Sequence, residues 1–546
     1  MKIALAQLNY HIGNFESNTA KIIKAIQEAK EKKADLVVFA ELAICGYPPR
    51  DFLEFTEFIE LCEQSVNEIA AATSGIACIL GSPTKNPRVQ GKDLFNSAYF
   101  IEDGEVKKVI NKALLPTYDV FDEYRYFEPN TEFECIEYKG VSIALTICED
   151  LWNINDNPLY VSSPMDELIK ERPDLMINIA ASPFSYNHDD NRYKVLSDNS
   201  KKYKLPLLYV NQVGAQTEII FDGGSFAFDA DGQMLDQLAY YKEDLKVFEF
   251  ENGKIIGLDT CEYKPEPDVA QIYNALILGI RDYFYKSGFS KAILGLSGGI
   301  DSAVVCALAA DALGAENVLA ILMPSQYSSD HSIQDALDLV KNLGCKHEVV
   351  AIKEITETFD KVLEPAFRGL PFNVAEENIQ ARSRAVIVMA FSNKFGNVLL
   401  NTSNKSESAV GYGTLYGDMA GAISVIGDVY KTQVYDLARY INREREIIPE
   451  NSIVKPPSAE LRPGQKDSDS LPDYDILDKL LYQYIELKRS SRDIIAAGFD
   501  EELVKRVIKM VNKAEFKRYQ TPPILRVSPK AFGMGRRMPI VGKYLS

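Results

Sequence analysis

Nowhere in this chain of 546 residues does an apolar run approach the roughly 20 residues that a membrane-spanning helix needs. The opening stretch, MKIALAQLNYHIGNFESN, also lacks the sustained apolar region and small-residue cleavage site of a secretory leader. The cysteines, at 45, 62, 78, 135, 148, 261, 306 and 345, include no C-x-x-C pair, which argues against a zinc knuckle and a dense disulfide framework. A reducing, cytoplasmic setting is therefore expected. Positive charge is in deficit: 60 Lys and Arg against 78 Asp and Glu leave a formal net charge of −18. Such a surface argues against general binding to nucleic acid or to an anionic membrane. No internal repeat is visible, and the composition excludes collagen-like, low-complexity and mostly disordered chains.

What is present is material for large cores, 46% hydrophobic with 25% charged, enough for two or three folded units at roughly 100–200 residues each. From residue 1 to about 260, KIALAQLN, DLVVFAE, ACILGSP, VSIALTIC, DLMINIAAS and PLLYVNQVG read as short buried strands. Asn18–Lys32 and Asp189–Tyr203 have helical spacing with charged outer faces, so layered α/β packing is expected. CEYKPEPDVAQ, with two prolines and little apolar content, predicts a linker at 261–267. Beyond it, over 268–546, strands and helices alternate as in a doubly wound parallel sheet. The stretch KPPSAELRPGQKDSDSLPDYD at 455–475 reads as a mobile loop near a site.

Residues 295–302, Gly295-Leu296-Ser297-Gly298-Gly299-Ile300-Asp301-Ser302, join a clear strand to a clear helix. Glycines let backbone N–H groups turn toward an anion, and the following helix adds its dipole. Ser297 and Ser302 can donate to phosphate oxygens, and Asp301 can hold Mg²⁺. The same residues also suit an ordinary turn capping a helix. No Gly-Lys-Ser/Thr follows, so this is not a Walker A loop. The spacing resembles the S-G-G-x-D-S loop of ATP pyrophosphatases, which cleave ATP between the α and β phosphates. Downstream, Thr402-Ser403-Asn404-Lys405-Ser406-Glu407 follows the strand GNVLLN, Glu376–Arg382 opens a helix, and Lys431-Thr432-Gln433 comes later. In that order these motifs resemble the synthetase domain of the NAD synthetase family.

A second chemistry is visible nearer the N-terminus, where Glu41, Lys112 and Cys148 stand at strand ends. A thiolate can attack an amide, an ammonium can stabilise thiolate and oxyanion, and a carboxylate can move the thiol proton to departing ammonia. Taken singly, each has a plainer reading, as a buried small hydrophobe or a solvated strand end. Together Phe39-Ala40-Glu41, Lys112–Pro116, Cys148-Glu149-Asp150 and the glycine turn Asp222-Gly223-Gly224-Ser225 resemble the signatures of the nitrilase, or carbon–nitrogen hydrolase, superfamily. The run YDVFDEYRYF, Tyr118–Phe127, is close to the glutaminase domain attached to NAD synthetases.

The two resemblances imply an α/β chain: a nitrilase-like α-β-β-α sandwich at 1–260 and a Rossmann-like, doubly wound ATP pyrophosphatase domain at 268–546. They imply a glutamine pocket at Tyr118, Ser182 and His188, the last standing where relatives often have a basic residue. ATP would meet the 295–302 loop, Thr402 and Lys431, with Lys405 and Lys431 offsetting phosphate charge. Asn378, Arg382, Glu407 and Lys517 would hold deamido-NAD, and Asp301 and Glu407 would hold Mg²⁺. Glutamine, ATP and deamido-NAD are the implied small-molecule partners, with no nucleic acid or membrane, in a homo-oligomer. Ammonia released at one site would reach the other by a sheltered route. Alternatives are another amidotransferase with the same ATP loop, or a nucleotide-binding regulator with an inactive amidase module.

Overall fold

The computed structural model describes residues 1–154 and 158–544. They divide into two compact units, Met1–Glu266 and Pro267–Ser546.

In the first unit a seven-stranded sheet has the spatial order Lys254–Ile256, Asp244–Glu251, Lys2–Gln7, Leu36–Val38, Ala77–Lys85, Leu94–Glu102, Glu105–Asn111. A six-stranded sheet runs Met234–Gln237, Phe226–Phe228, Leu207–Asn211, Leu175–Ala180, Val141–Ile147, Ile136–Tyr138. β-Branched and aromatic side chains on facing strands share one core, with Ile3, Val38 and Ile79 from the first sheet and Ile147, Ile177 and Phe226 from the second. Helices Phe15–Glu31 and Thr56–Ala71 cover the first sheet, and Pro164–Leu168 and His188–Tyr203 cover the second. This is the α-β-β-α sandwich that the nitrilase resemblance implies, and it fits the layered packing read from the strand pattern.

Parallel register sets the chemistry. Ile147 lies opposite Ile179, and Ala180 lies opposite Asn211. The residues that follow these strands, Cys148 and Ala181–Ser182, therefore emerge along one edge of the sheet. Parallel strands place their carboxyl ends together, which is where open α/β sheets collect ligands.

The second unit carries five strands, all parallel to their neighbours, in the order Lys346–Val349, Val318–Leu322, Ala292–Gly295, Val398–Asn401, Ile423–Ser424. Helices Asp268–Lys286, Ile300–Leu313 and Lys431–Ile441 pack on one another, while Val374–Phe395 lies on the strands Ala292–Gly295 and Val398–Asn401. The C-terminal helices Tyr474–Ile485 and Glu501–Lys513 build a separate core around Leu477, Leu481, Val504 and Val507.

The stretch read as a linker and the one expected to be a mobile loop both carry specific contacts. In 261–267, Tyr263 stacks on Tyr193 with centroids 4.3 Å apart and donates to Asp189 Oδ2 at 2.6 Å. In 455–475, Glu460 accepts from the Ser329 and Ser332 hydroxyls at 2.8 and 2.9 Å, and Asp467 accepts from Tyr412 and Tyr474 at 3.2 and 3.0 Å. The expectation of a mobile loop at 455–475 is thus corrected. Its prolines and polar residues limit regular structure ahead of helix Tyr474–Ile485 to the 3₁₀ turn Asp467–Asp469, but its carboxylates find partly buried donors.

Candidate active sites

At the sheet edge of the first unit, the chain turns sharply from strand Val141–Ile147 into a 3₁₀ turn, Cys148–Leu151. Cys148 takes φ +45°, a left-handed conformation that an L-residue holds only when its surroundings demand it. Asp150 supplies the demand. Its carboxylate accepts from the Ile147 N–H at 3.0 Å and from the Ala113 and Leu114 N–H groups at 3.1 and 2.9 Å. One side chain thus ties the cysteine turn to the backbone just after Lys112. Desolvation pushes the Asp150 carboxyl up to about 6, against the pull of those donors.

Lys112 and Glu41 are fully buried and Cys148 is 5% exposed. The Lys112 ammonium donates to Glu41 Oε1 at 2.7 Å and to both oxygens of Glu123 at 2.8 Å. Burial opposes its charge, but the two carboxylates hold it well above the ordinary lysine range. Glu41 also accepts from Asn96 Nδ2 at 2.7 Å and, through Oε2, from the Ala181 N–H at 3.0 Å. Burial, with Glu41 nearby, pushes the Cys148 thiol well up, and Lys112 opposes this. Attack on a carbonyl by a sulfur so disposed calls for a partner base.

Glu123 escaped the sequence reading although it lies inside the quoted run Tyr118–Phe127. A short 3₁₀ turn, Glu123–Arg125, has no periodicity to mark it. Tyr47 donates to Glu123 at 2.9 Å, and desolvation raises its carboxyl to about 7. Glu149, the neighbour of Cys148, was likewise quoted but given no role. It accepts from Tyr118 at 2.9 and 3.0 Å and from Tyr160 at 3.2 Å, and burial lifts it to about 7. The Ser182 hydroxyl lies 3.1 Å from His188 Nε2, and the His188 ring stacks on Trp152 at 5.0 Å.

The second unit gathers its own cluster around the loop before helix Ile300–Leu313. Gly298 has φ +79°, and a Cβ there would stand 2.0 Å from the Ser332 carbonyl oxygen, so only glycine fits. The Ser297 and Ser302 hydroxyls lie 3.1 Å apart, and Ser297 Oγ accepts from the Gly299 N–H at 3.2 Å. Asp301, in the helix's first turn, accepts from Asn404 Nδ2 at 2.9 Å and pairs with the buried Lys431, which is also 3.4 Å from Glu407. Burial and the adjacent Asp301 push Glu407 up to about 8. Asp301 and Glu407 offer oxygens on either side of one ammonium, a donor set suited to a hard cation, whose charge would favour ionised Glu407. Among the described residues no group of three His, Cys, Asp or Glu side chains is placed to hold a metal by itself. A cation here would complete its shell with water and substrate oxygens, as Mg²⁺ ordinarily does.

Lys405 does not join this cluster. Its ammonium is fully buried against Glu486 at 2.7 Å, Asp428 at 2.9 Å and Ser528 at 2.7 Å. The expectation that it offsets phosphate charge is corrected: its charge is matched by Glu486 and Asp428, and the Lys530 carbonyl at 3.0 Å completes its partners. Thr402 is half-buried just past the strand Val398–Asn401. Asn378, Arg382 and Lys517 converge on residues 411–415: Asn378 Oδ1 accepts from Thr414 Oγ1 at 2.8 Å, Arg382 Nε donates to the Leu415 carbonyl at 3.2 Å, and Lys517 donates to the Gly411 and Gly413 carbonyls at 2.8 Å. Burial lowers the Lys517 ammonium below its usual range.

The class is double. The family model for carbon–nitrogen hydrolases matches residues 2–251, and the model for NAD synthases matches residues 272–521. Glutamine-dependent NAD(+) synthetases from Synechocystis and Acinetobacter baylyi are 48% and 43% identical, over 98% and 99% of this chain and 98% of each relative. A solved glutamine-dependent NAD⁺ synthetase from Acinetobacter baumannii, in complex with adenosine diphosphate, is 40% identical with a TM-score of 0.79, covering 99% of this chain and 98% of that one. The chain belongs to the glutamine-dependent NAD(+) synthetases.

Proposed function

We propose that this chain makes NAD from deamido-NAD in two coupled half-reactions, glutamine hydrolysis in 1–260 and ATP-dependent amidation in 268–546, with the following division of labour. Glu41 takes the Cys148 thiol proton as sulfur attacks the side-chain carbonyl carbon of glutamine. Lys112 steadies the oxyanion, the C–N bond breaks, and Glu41 returns the proton to departing ammonia. Water then cleaves the thioester, releasing glutamate and restoring the thiol. Tyr118, Ser182 and His188 hold glutamine. The raised Cys148 thiol supports this reading, because a protonated sulfur needs a base in contact with its surroundings, and Glu41 is there.

In the other unit the nicotinate carboxylate of deamido-NAD attacks the α-phosphorus of ATP, pyrophosphate leaves, and ammonia displaces AMP. Backbone groups and hydroxyls of the 295–302 loop, with Thr402 and Lys431, orient the ATP phosphates. Asn378, Arg382, Glu407 and Lys517 face deamido-NAD. Asp301 and Glu407 would hold Mg²⁺, which supplies charge neutralisation for the pyrophosphate leaving group. The observation that carries the synthetase assignment is the Asp301–Lys431–Glu407 cluster beside a glycine loop that admits no side chain at Gly298.

A homo-oligomer is supported by apolar side chains left at the surface of two neighbouring helices: Ile355, Phe359 and Val362 share one face of the first, with Val362 67% exposed, and Val386 is exposed on the second. All eight cysteines are unpaired thiols, which fits a reducing, cytoplasmic compartment. Among the described residues no helix is long and apolar enough to cross a membrane. Incubation with ATP, glutamine and deamido-NAD should yield NAD, AMP and glutamate in equal amounts. Binding of all three without AMP release would favour a regulator and contradict the assignment.

A further inference from the structure

The turn Asp222–Ser225 is given no part in the steps above, yet its polar groups lead to the glutamine pocket by two routes. On one, Asp222 pairs with the buried Arg192 at 2.9 and 2.7 Å, and Arg192 reaches Asp189 at 2.6 Å in the first turn of the helix that begins with His188. On the other, the fully buried Asn211 stands at the end of its strand, opposite Ala180. Its Oδ1 accepts from the Ser182 N–H at 2.8 Å, while its Nδ2 donates to the Ser182 carbonyl at 3.2 Å and the Gly223 carbonyl at 3.1 Å. The Asn211 N–H donates to Ser225 Oγ at 3.0 Å, and Ser225 Oγ donates to Gln7 Oε1 at 2.9 Å. Gly223 has φ +75°, and a Cβ there would fall 2.3 Å from Gln7 Nε2, so the turn sits directly on that glutamine. The first route ends beside His188, whose Nε2 lies 3.1 Å from the Ser182 hydroxyl, and the second ends on Ser182 itself.

We propose that Asn211 is a positioning residue of the glutaminase site: its carboxamide clamps Ser182 at both its N–H and its carbonyl, fixing the backbone segment that presents the Ser182 hydroxyl to glutamine and donates the Ala181 N–H to Glu41. The inference rests on the glutaminase reading of Ser182 and Glu41 above. The chemistry singles out an amide. One acceptor and two donors are used at once, and among side chains only Asn and Gln carry two N–H donors and an acceptor oxygen on one planar group. A carboxylate would set negative charge against two carbonyl oxygens, and an alanine would leave the Ser182 N–H and carbonyl buried without partners. The Ala181 N–H reaches the same carboxylate that binds Lys112, so a shift of this peptide moves the substrate contact and the base together.

The test compares Asn211→Ala with the parent, using full-length protein. With glutamine as nitrogen source, KM for glutamine should rise about tenfold or more, the effect of unpairing buried groups, while synthesis from added ammonium salt is retained. Ser182→Ala and the double variant complete a cycle. A residue acting through Ser182 gives losses in kcat/KM that do not add, whereas additive losses would overturn the proposal. Labelling of Cys148 gives a second readout. A glutamine-shaped diazoketone should lose its rate advantage over iodoacetamide in Asn211→Ala. If the advantage persists, or if ammonium-driven synthesis falls in parallel, Asn211 is ordinary scaffold and the proposal fails. If the parent shows no such advantage at Cys148, the glutaminase reading itself is at fault.

Discussion

The ammonium of Lys112 is enclosed by Glu41 and Glu123, and this pairing decides what the glutaminase residues can do. A buried ammonium between two carboxylates is held charged, so it is an oxyanion partner rather than a base. Glu123→Gln keeps the shape but turns an amide NH₂ toward that ammonium. Glutamine hydrolysis should fall on the order of 100-fold with ammonium-driven synthesis retained, and kinetics with the two nitrogen sources would check it. Glu149 gives a pH prediction. Burial raises its carboxyl from the ordinary 4.5 to about 7, so between these values the folded chain holds a proton that the unfolded chain has released. Its contribution to stability therefore falls as pH rises across that window. Melting curves for Glu149→Gln should show a flatter decline between them than the parent; parallel curves would contradict the shift. At this scale the sequence was legible where a reactive residue ends an apolar strand, as Glu41, Lys112 and Cys148 do. Glu123, in a loop turn, carried no such sign. Lys405 and Lys431 look alike as polar residues at helix starts, and only the fold assigns one to a closed ion network and the other to Asp301.

Among elements, the two that matter most are turns. The Cys148–Leu151 turn is set by Asp150, which binds the backbone on either side of it. The 295–302 loop is set by Gly298, which packs against a neighbouring backbone carbonyl with no room for a methyl group. Gly298→Ala combines a positive φ with a backbone clash, so the loop must shift. NAD synthesis should fall at least about 100-fold from glutamine and from ammonium alike, because misplaced phosphate donors harm adenylation rather than ammonia supply. Glutamine hydrolysis, assayed alone, should continue. The period of the apolar strands and the glycine spacing announced both turns in the sequence. The packing of 455–475 was hidden, because its hydrogen bonds join Glu460 and Asp467 to residues as distant as Ser329 and Tyr412. Composition marks such a segment as irregular, and irregular is not the same as loose.

For the whole molecule, alternation of strands and helices with a Pro-rich break near residue 261 was enough to expect two α/β units. The exposed apolar residues on helices Lys353–Phe367 and Val374–Phe395 were less visible, because charged residues are interspersed along both. Two adjacent helices with exposed Phe359 and Val386 suit a symmetric contact. Phe359→Asp with Val386→Asp should lower the mass in light scattering, and an unchanged mass would place any self-association elsewhere.

The account's central claim is that one chain separates making ammonia from using it. Replacing the nucleophile tests this most directly: Cys148→Ala, assayed for NAD with glutamine and then with ammonium salt. The claim predicts that glutamine-driven synthesis is abolished while ammonium-driven synthesis stays close to that of the parent. Loss of both in a folded variant, or survival of glutamine-driven synthesis, would contradict it.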